Sequence, residues 1–487
     1  MTRCVLGIDI GTTCTKVLAV TPDGTVLSQA SQGYPLISRG CRIEQKAEDW
    51  ISAVIGAVRR AAQPLDVSSI AGISLSTQGA STVAVSASGE FIGNAITWMD
   101  TRSVREAEEI EKELGGDYIY RTSGWKINPS LDCAKLRCIG PDASSAGAVR
   151  YLSTLEVVNG YLTGNPAIDP TNAAIRQLYN IGKGRWDSAL VKAAGITEKE
   201  LPEVLPTGAE VGRLRAEAAA AMGVPVGISV FNGAHDQYCA AIGAGAVEDG
   251  DMLLSAGTTW VLMGITRAPL FTKSYIAPGR YPGGELYGAI SSLICSGASL
   301  QWFKENFLPE EFEEMNRVVA ERRDKTGELC FFPYLAGAGY PIWNLRAKGA
   351  FTGIALEHDR FDFARAVMEG VAFGVRRGTD DFRANGAEIH RITIMGGASK
   401  SPVWCQMIAD IADVPIVRLN QADVCAMGAA VLALTALKVY PDYKTASDAM
   451  LHADREFLPQ PQEVVYYQEK YHKFRRMWQC LQTYYAQ

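Results

Sequence analysis

The chain has 487 residues, which at roughly 150 residues per domain asks for two large units or about three ordinary ones and excludes a small stapled module. Lys and Arg total 47 against 53 Asp and Glu, a net charge of -6 with no basic block, so neither a nucleic acid nor an anionic membrane is expected as the main partner. Charged residues at 21% and hydrophobic ones at 47% are ordinary globular values and exclude a disordered chain.

The opening MTRCVLGIDIG carries Asp9 inside its first apolar stretch and lacks the charged lead and unbroken apolar core of a secretory signal. The 11 cysteines are odd in number and scattered, without a C-x-x-C pair, which fits buried, reduced thiols in the cytoplasm. The longest nearly continuous apolar run, 426–437, is short of the ~18–20 residues of a membrane helix.

In chain order, 4–10 reads as a strand, Gly11-Thr12-Thr13 as a tight turn, 17–20 as a strand, and Pro22-Asp23-Gly24 as a second turn before a third strand. Asp9 ends the first strand, and the backbone N–H groups of Gly11, Thr12 and Thr13 can converge on one anion. A carboxylate beside a phosphate is repulsive unless a cation separates them, so Asp9 is read as the Mg²⁺ residue and Lys16 as a reach to a phosphate oxygen. A polar hairpin turn is the plain alternative. A helix over 54–62, a buried strand over 70–75 and a strand over 83–85 follow, giving a mixed α/β layer. After the 70–75 strand comes Ser76-Thr77-Gln78-Gly79-Ala80, where Gln78 is a candidate for binding a polyhydroxylated substrate or an exposed loop amide. Trp98-Met99-Asp100-Thr101-Arg102 precedes a helix over 104–114. An acid beside an aromatic plane suits hydroxyl-rich carbon chains, so Trp98, Asp100 and Arg102 are substrate candidates, with a helix cap as the alternative for Asp100.

Strand 228–231 leads through Gly233-Ala234-His235-Asp236-Gln237 into a helix over 238–242. Asp236 at a helix N-terminus can accept a hydroxyl proton during phosphoryl transfer or serve as a cap; His235 is read as its packed neighbour. The strand, Gly-Thr-Thr, strand pattern then recurs at Gly257-Thr258-Thr259, 246 residues after Gly11. This internal repeat divides the chain into domains 1–247 and 248–487, with the two phosphate-sized turns facing one ligand across a cleft. Gly396-Gly397-Ala398 closes the strand 392–395 ahead of a helix over 403–412, where backbone without side chains lets a ligand approach. A small-residue helix over 426–437 packs behind it. The tail places Tyr467, Tyr471, Phe474, Trp478, Leu481 and Tyr485 on one helical stripe, expected to dock on its own domain, with a homodimer contact as the alternative.

These motifs together resemble the FGGY family of carbohydrate kinases from end to end. Gly349-Ala350-Phe351-Thr352-Gly353-Ile354 and, seven residues later, Asp362-Phe363-Ala364-Arg365-Ala366-Val367-Met368-Glu369 satisfy that family's carboxy-terminal signature. The resemblance implies a two-domain actin-like ATPase fold of the ribonuclease H type, each domain a mixed sheet flanked by helices around a cleft. It implies Asp236 as catalytic base, Asp9 for the metal, Thr12, Thr13, Gly257, Thr258 and Thr259 for the phosphates, and Gly396, Gly397 and Ala398 against the adenosine. ATP and Mg²⁺ are the implied cosubstrate and metal. Among family members the xylulokinase pattern is the most similar, at 98–102 and 233–237. It departs at Gln78, where a histidine is usual, at Ala338-Gly339, where a Glu-Arg pair is usual, and at Lys135-Leu136-Arg137-Cys138, which lacks the tryptophan of the family's amino-terminal signature.

The expected activity is ATP-dependent phosphorylation of a small sugar or polyol, xylulokinase-like. The alternatives are another acceptor (gluconate, glycerol, ribulose or a tetritol) or a non-catalytic actin-like nucleotide switch. Asp236, Asp100 and Gln78 separate an enzyme from a switch, since an ATP clamp does not need them. A sugar-sensing regulator with an added DNA-binding module is disfavoured by the acidic balance.

Overall fold

The computed structural model describes residues 3–322, 327–344, 346–420 and 423–485. Cys4–Ile10 is buried along its whole length, as a strand covered on both faces must be. It pairs antiparallel with Cys14–Val20 and parallel with Ile70–Thr77. The full sheet has six strands in the order Glu210–Arg213, Ser229–His235, Ile70–Thr77, Cys4–Ile10, Cys14–Val20, Val26–Gly33.

The second sheet has seven strands, in the order Ala277–Arg280, Tyr287–Leu293, Trp260–Thr266, Asp251–Ala256, Arg391–Met395, Ile416–Leu419, Ala453–Phe457. Its centre repeats the first sheet: an antiparallel three-strand meander followed by two parallel strands. The sequence repeat is therefore a topological repeat, and each Gly-Thr-Thr turn joins equivalent strands. A further five-stranded antiparallel sheet, from Ile37–Arg39 to Ala148–Ser153, belongs to the first half.

Each half has its own apolar core. A third core joins them, built from Val5, Leu18 and Val20, the helix Asp236–Gly243, Leu253 and Met263, and the helix Val424–Ala436. The helix predicted over 54–62 begins earlier, as Ala47–Ala62, with Glu48 and Asp49 in its first turn, where the helix dipole favours acids. The helix predicted after Gly396-Gly397 starts only at Pro402, because a 3₁₀ turn Gly397–Lys400 intervenes.

The terminal helix Pro461–Tyr485 docks as its stripe predicts, burying Tyr467, Tyr471, Phe474 and Trp478. Phe474 stacks on Phe332 at 4.4 Å, and buried Lys470 binds Glu369 at 2.6 Å. Among the described residues no helix is long and apolar enough to cross a membrane.

Candidate active site

Two equivalent helices of the repeat form the centre. Asp236 is the first residue of Asp236–Gly243, and Asp423 is the N-cap of Val424–Ala436, accepting the Ala426 N–H at 3.1 Å. The helices touch backbone to backbone: a Cβ on Gly243 would lie 1.9 Å from Val424 O, and one on Gly428 1.9 Å from Cys239 O. Gly7 does the same for the first strand, where a Cβ would lie 2.0 Å from Ala426 O. Glycine is what permits this approach, and it brings both positive helix ends to Asp9.

Ligand atoms of Asp9, Asp423 and Cys425 lie within 4.8 Å of one another, and Cys425 Sγ is 3.7 Å from Asp236 O. Asp9 is 7% exposed and accepts from Ser76 Oγ at 2.7 Å. Burial, reinforced by the charges of Asp423 and Asp236, pushes its carboxyl up to about 7, although Ser76 and Lys16 act against it. Lys16 Nζ is 2.9 Å from Asp423 Oδ2; burial lowers its affinity for a proton, but the Asp423 carboxylate outweighs this and the ammonium is held above its ordinary range. Asp236 thus lies near enough to Asp9 for their charges to interact.

The Gly11-Thr12-Thr13 turn is tied down on both sides. Gly11 N–H donates to Cys14 O at 3.1 Å, the Tyr34 hydroxyl donates to Gly11 O, and Gln45 Nε2 donates to Thr12 O at 2.6 Å. Gly257, Thr258 and Thr259 are exposed at the end of two buried strands. Gly257 and Thr258 open into a cavity of about 1080 Å³ whose far wall includes Gly397, Ala398, Trp302 and Trp404. Gly396 sits at φ +90°, and a Cβ there would meet Ala256 O at 2.7 Å, so this turn demands glycine. The cavity has the size and apolar lining of a nucleoside site, and its Gly257 end holds the phosphate-sized turn.

On the other side of Asp9, Trp98 is 45% exposed and its indole N–H donates to Thr12 Oγ1 at 3.0 Å. Gln78 is buried; its Nε2 donates to Gln45 Oε1 at 2.9 Å, while its Oε1 has no partner among the described residues. It is therefore not an exposed loop amide. Asp100 has no exposed surface. Its carboxylate accepts the Ile43 N–H at 2.7 Å, the Arg102 N–H at 3.0 Å and the Arg102 guanidinium at 2.6 and 2.9 Å. Burial raises its carboxyl, but these bonds prevail and hold it below the usual range. The cap alternative does not hold either, since the next helix is Val104–Leu114 with Ser103 at its N-cap. Arg102 also reaches Glu44 at 2.5 Å. The Asp100 and Arg102 side chains are thus engaged with each other.

His235 does more than fill space: its Nε2 is 3.2 Å from Asp236 Oδ1. The His235 N–H donates to Thr171 Oγ1 at 2.8 Å, and Thr171 Oγ1 donates to Asp169 Oδ2 at 2.6 Å, which fixes the backbone where the helix begins. Sequence reasoning missed Asp423, Cys425, Gln45, Ser76 and this Asp169-Thr171 support. Asp423 had a visible signal, an N-cap acid ahead of the small-residue helix. The others have none, since only the fold brings them here.

Residues 4–243 match the amino-terminal domain of the FGGY family of carbohydrate kinases, and residues 252–437 match its carboxy-terminal domain. The xylulose kinase of Bacillus subtilis is 27% identical over 484 residues, covering 98% of this chain and 97% of its own. A gluconokinase of the same organism is 28% identical over 470 residues, covering 92% and 90%. The crystal structure of a ligand-bound xylulose kinase from Lactobacillus acidophilus superimposes with a TM-score of 0.93 at 26% identity, over 99% of both chains.

Proposed function

Because this chain belongs to the FGGY family of carbohydrate kinases, a family of phosphotransferases that use ATP, we propose that it transfers the γ-phosphoryl group to a primary hydroxyl of a small neutral sugar or polyol. D-xylulose is the first acceptor in that class, giving xylulose 5-phosphate and ADP. The observation that carries this reading is the acidic cluster of Asp9 and Asp423, within reach of the Asp236 charge, together with a nucleoside-sized cavity at Gly257-Thr258 and the buried Gln78 amide.

Asp236 accepts the hydroxyl proton as that oxygen forms its bond to the γ-phosphorus and the bond to the β-phosphate oxygen breaks. The backbone of both turns receives the phosphates, and Gly397 and Ala398 lie against the adenosine. Lys16, held charged by Asp423, adds positive potential where the phosphates gather. Gln78 Oε1, buried with no donor among the described residues, accepts from a substrate hydroxyl, and Trp98 supplies a flat apolar wall. Asp100 fixes Arg102 and the strand at Ile43. It does not touch the sugar.

Two carboxylates as close as Asp9 and Asp423, with the Asp236 charge nearby, oppose one another unless a cation joins them, and oxygen donors suit Mg²⁺. Asp9 and Asp423 would hold it, with the Cys425 thiol outside its preferred donor set. When bound it supplies charge neutralisation for the triphosphate. All 11 cysteines are free thiols, which fits a reducing cytoplasm.

A neutral acceptor is favoured over an aldonate because Lys16 and Arg102, the cations among these residues, are already paired with Asp423 and with Asp100 and Glu44. The test is ADP release by the purified protein across ketoses, polyols and aldonates. Stimulation by a neutral ketose or polyol is expected. Stimulation by gluconate alone overturns the acceptor assignment, and no stimulation by any compound despite ATP binding overturns the kinase reading in favour of a nucleotide switch.

A further inference from the structure

Lys135 is a buried cation that the chemistry above does not use. It lies in the helix Asp132–Ser145 with no exposed surface. Its nearest carboxylate oxygen, Asp132 Oδ1, is 3.8 Å away, because Asp132 is turned to Arg176 at 2.7 Å, which also binds Glu156 at 3.1 Å. The ammonium instead donates to two backbone carbonyls, Ala80 O at 2.6 Å and Ile96 O at 3.4 Å. Burial draws it down to about 8, against the favourable charges of Asp132 and Asp100. A buried cation held mainly by carbonyls is costly to fold, so fold stability alone does not account for it.

The two carbonyls identify what it holds. Ala80 closes the Gln78-Gly79-Ala80 loop in a left-handed conformation at φ +48°, two residues after the amide that faces the acceptor. Ile96 ends the strand Phe91–Ile96, two residues before Trp98. Gly79, inside the Gln78-Gly79-Ala80 loop, packs on the base's neighbour, where a Cβ would lie 2.6 Å from His235 Cδ2. The sheet pairs Thr82 with Ile96, and past the end of that ladder the Lys135 ammonium binds both the Ala80 and the Ile96 carbonyls.

We infer that Lys135 is a positioning residue for the acceptor, fastening the Gln78 loop to the Trp98 segment so that amide and indole meet the same sugar. This rests on the kinase reading above. A methionine of similar length fills the space but cannot donate to either carbonyl, and the loop then drifts relative to the indole.

The experiment is steady-state kinetics of Lys135→Met and Lys135→Gln against sugar and ATP separately, with melting curves. Lys135→Met should raise the KM for sugar by roughly 10–100-fold, the scale of a misplacement of about 1 Å, while the KM for ATP stays within about twofold. Lys135→Gln keeps a donor and should fall between wild type and Lys135→Met, which keeps the test open if the methionine variant does not fold. In a cycle with Gln78→Ala, the double variant should be little worse than the poorer single one, since both losses act through one loop. Effects that multiply, or equal shifts in both KM values, or lowered melting with unchanged sugar KM, each overturn the inference. A wild type silent toward every sugar removes the kinase reading and this inference with it; an active wild type with unaltered variants removes this inference alone.

Discussion

Lys16 Nζ lies 2.9 Å from Asp423 Oδ2, joining the first hairpin of the chain to the N-cap of a helix more than 400 residues later. The pair spans the two halves beside Asp9. Together with the glycine contacts between the helices, it makes the acidic centre a property of both halves at once.

The first consequence concerns pH. In the free protein Asp9 is held at about 7 by burial and its acidic neighbours, against 3.8 for an unperturbed carboxyl. The folded state therefore keeps its proton through a window where the unfolded chain has lost it, and this residue's contribution to stability falls as pH rises from about 4 to about 7. Asp9→Asn should accordingly be more stable than wild type at pH 8, by something on the order of 2–4 kcal/mol, with the gap closing near pH 4. Urea melts in a chelator across that range check this; a gap that ignores pH would refute it.

Asp236→Asn removes the proton acceptor and keeps the shape. Turnover should fall by roughly 10²–10⁴-fold, with ATP affinity nearly unchanged by calorimetry. Retained turnover would assign Asp236 to capping.

For Gln78→Leu, the lost partner is one hydroxyl of the acceptor. The sugar KM should rise by about 5–150-fold, as for a single hydrogen bond of ~1–3 kcal/mol, and a deoxy analogue lacking that hydroxyl should show no further loss in the variant. Equal sensitivity of variant and wild type to the deoxy analogue would count against it.

Replacing Asp100 by Ala leaves the largely buried Arg102 with Glu44 alone and strips the Ile43 N–H of its acceptor. Stability should drop by about 3–5 kcal/mol, read by denaturant melts. A variant of unchanged stability that has lost sugar use would restore Asp100 as a direct contact.

Gly396→Ala forces a side chain into φ +90° and to 2.7 Å from Ala256 O. A cost of about 1–3 kcal/mol is expected, with the KM for ATP raised more than that for sugar. The reverse order of the two KM changes would place the adenosine elsewhere.

The sequence by itself determined the repeat, because a strand, a Gly-Thr-Thr turn and a second strand are local patterns written by residue type. It also determined the acids at strand and helix ends, Asp9 and Asp236, and the glycine turn at 396–397. It could not reveal that Asp423 is the symmetry counterpart of Asp236, since that equivalence exists only once two helices approach through Gly243 and Gly428. Nor could it tell that the Asp100 carboxylate is occupied by Arg102 and Ile43, or that Lys135 reaches across to Ala80 and Ile96. Whether a polar side chain meets a substrate or a neighbour depends on which distant backbone lies beside it, and folding alone decides that.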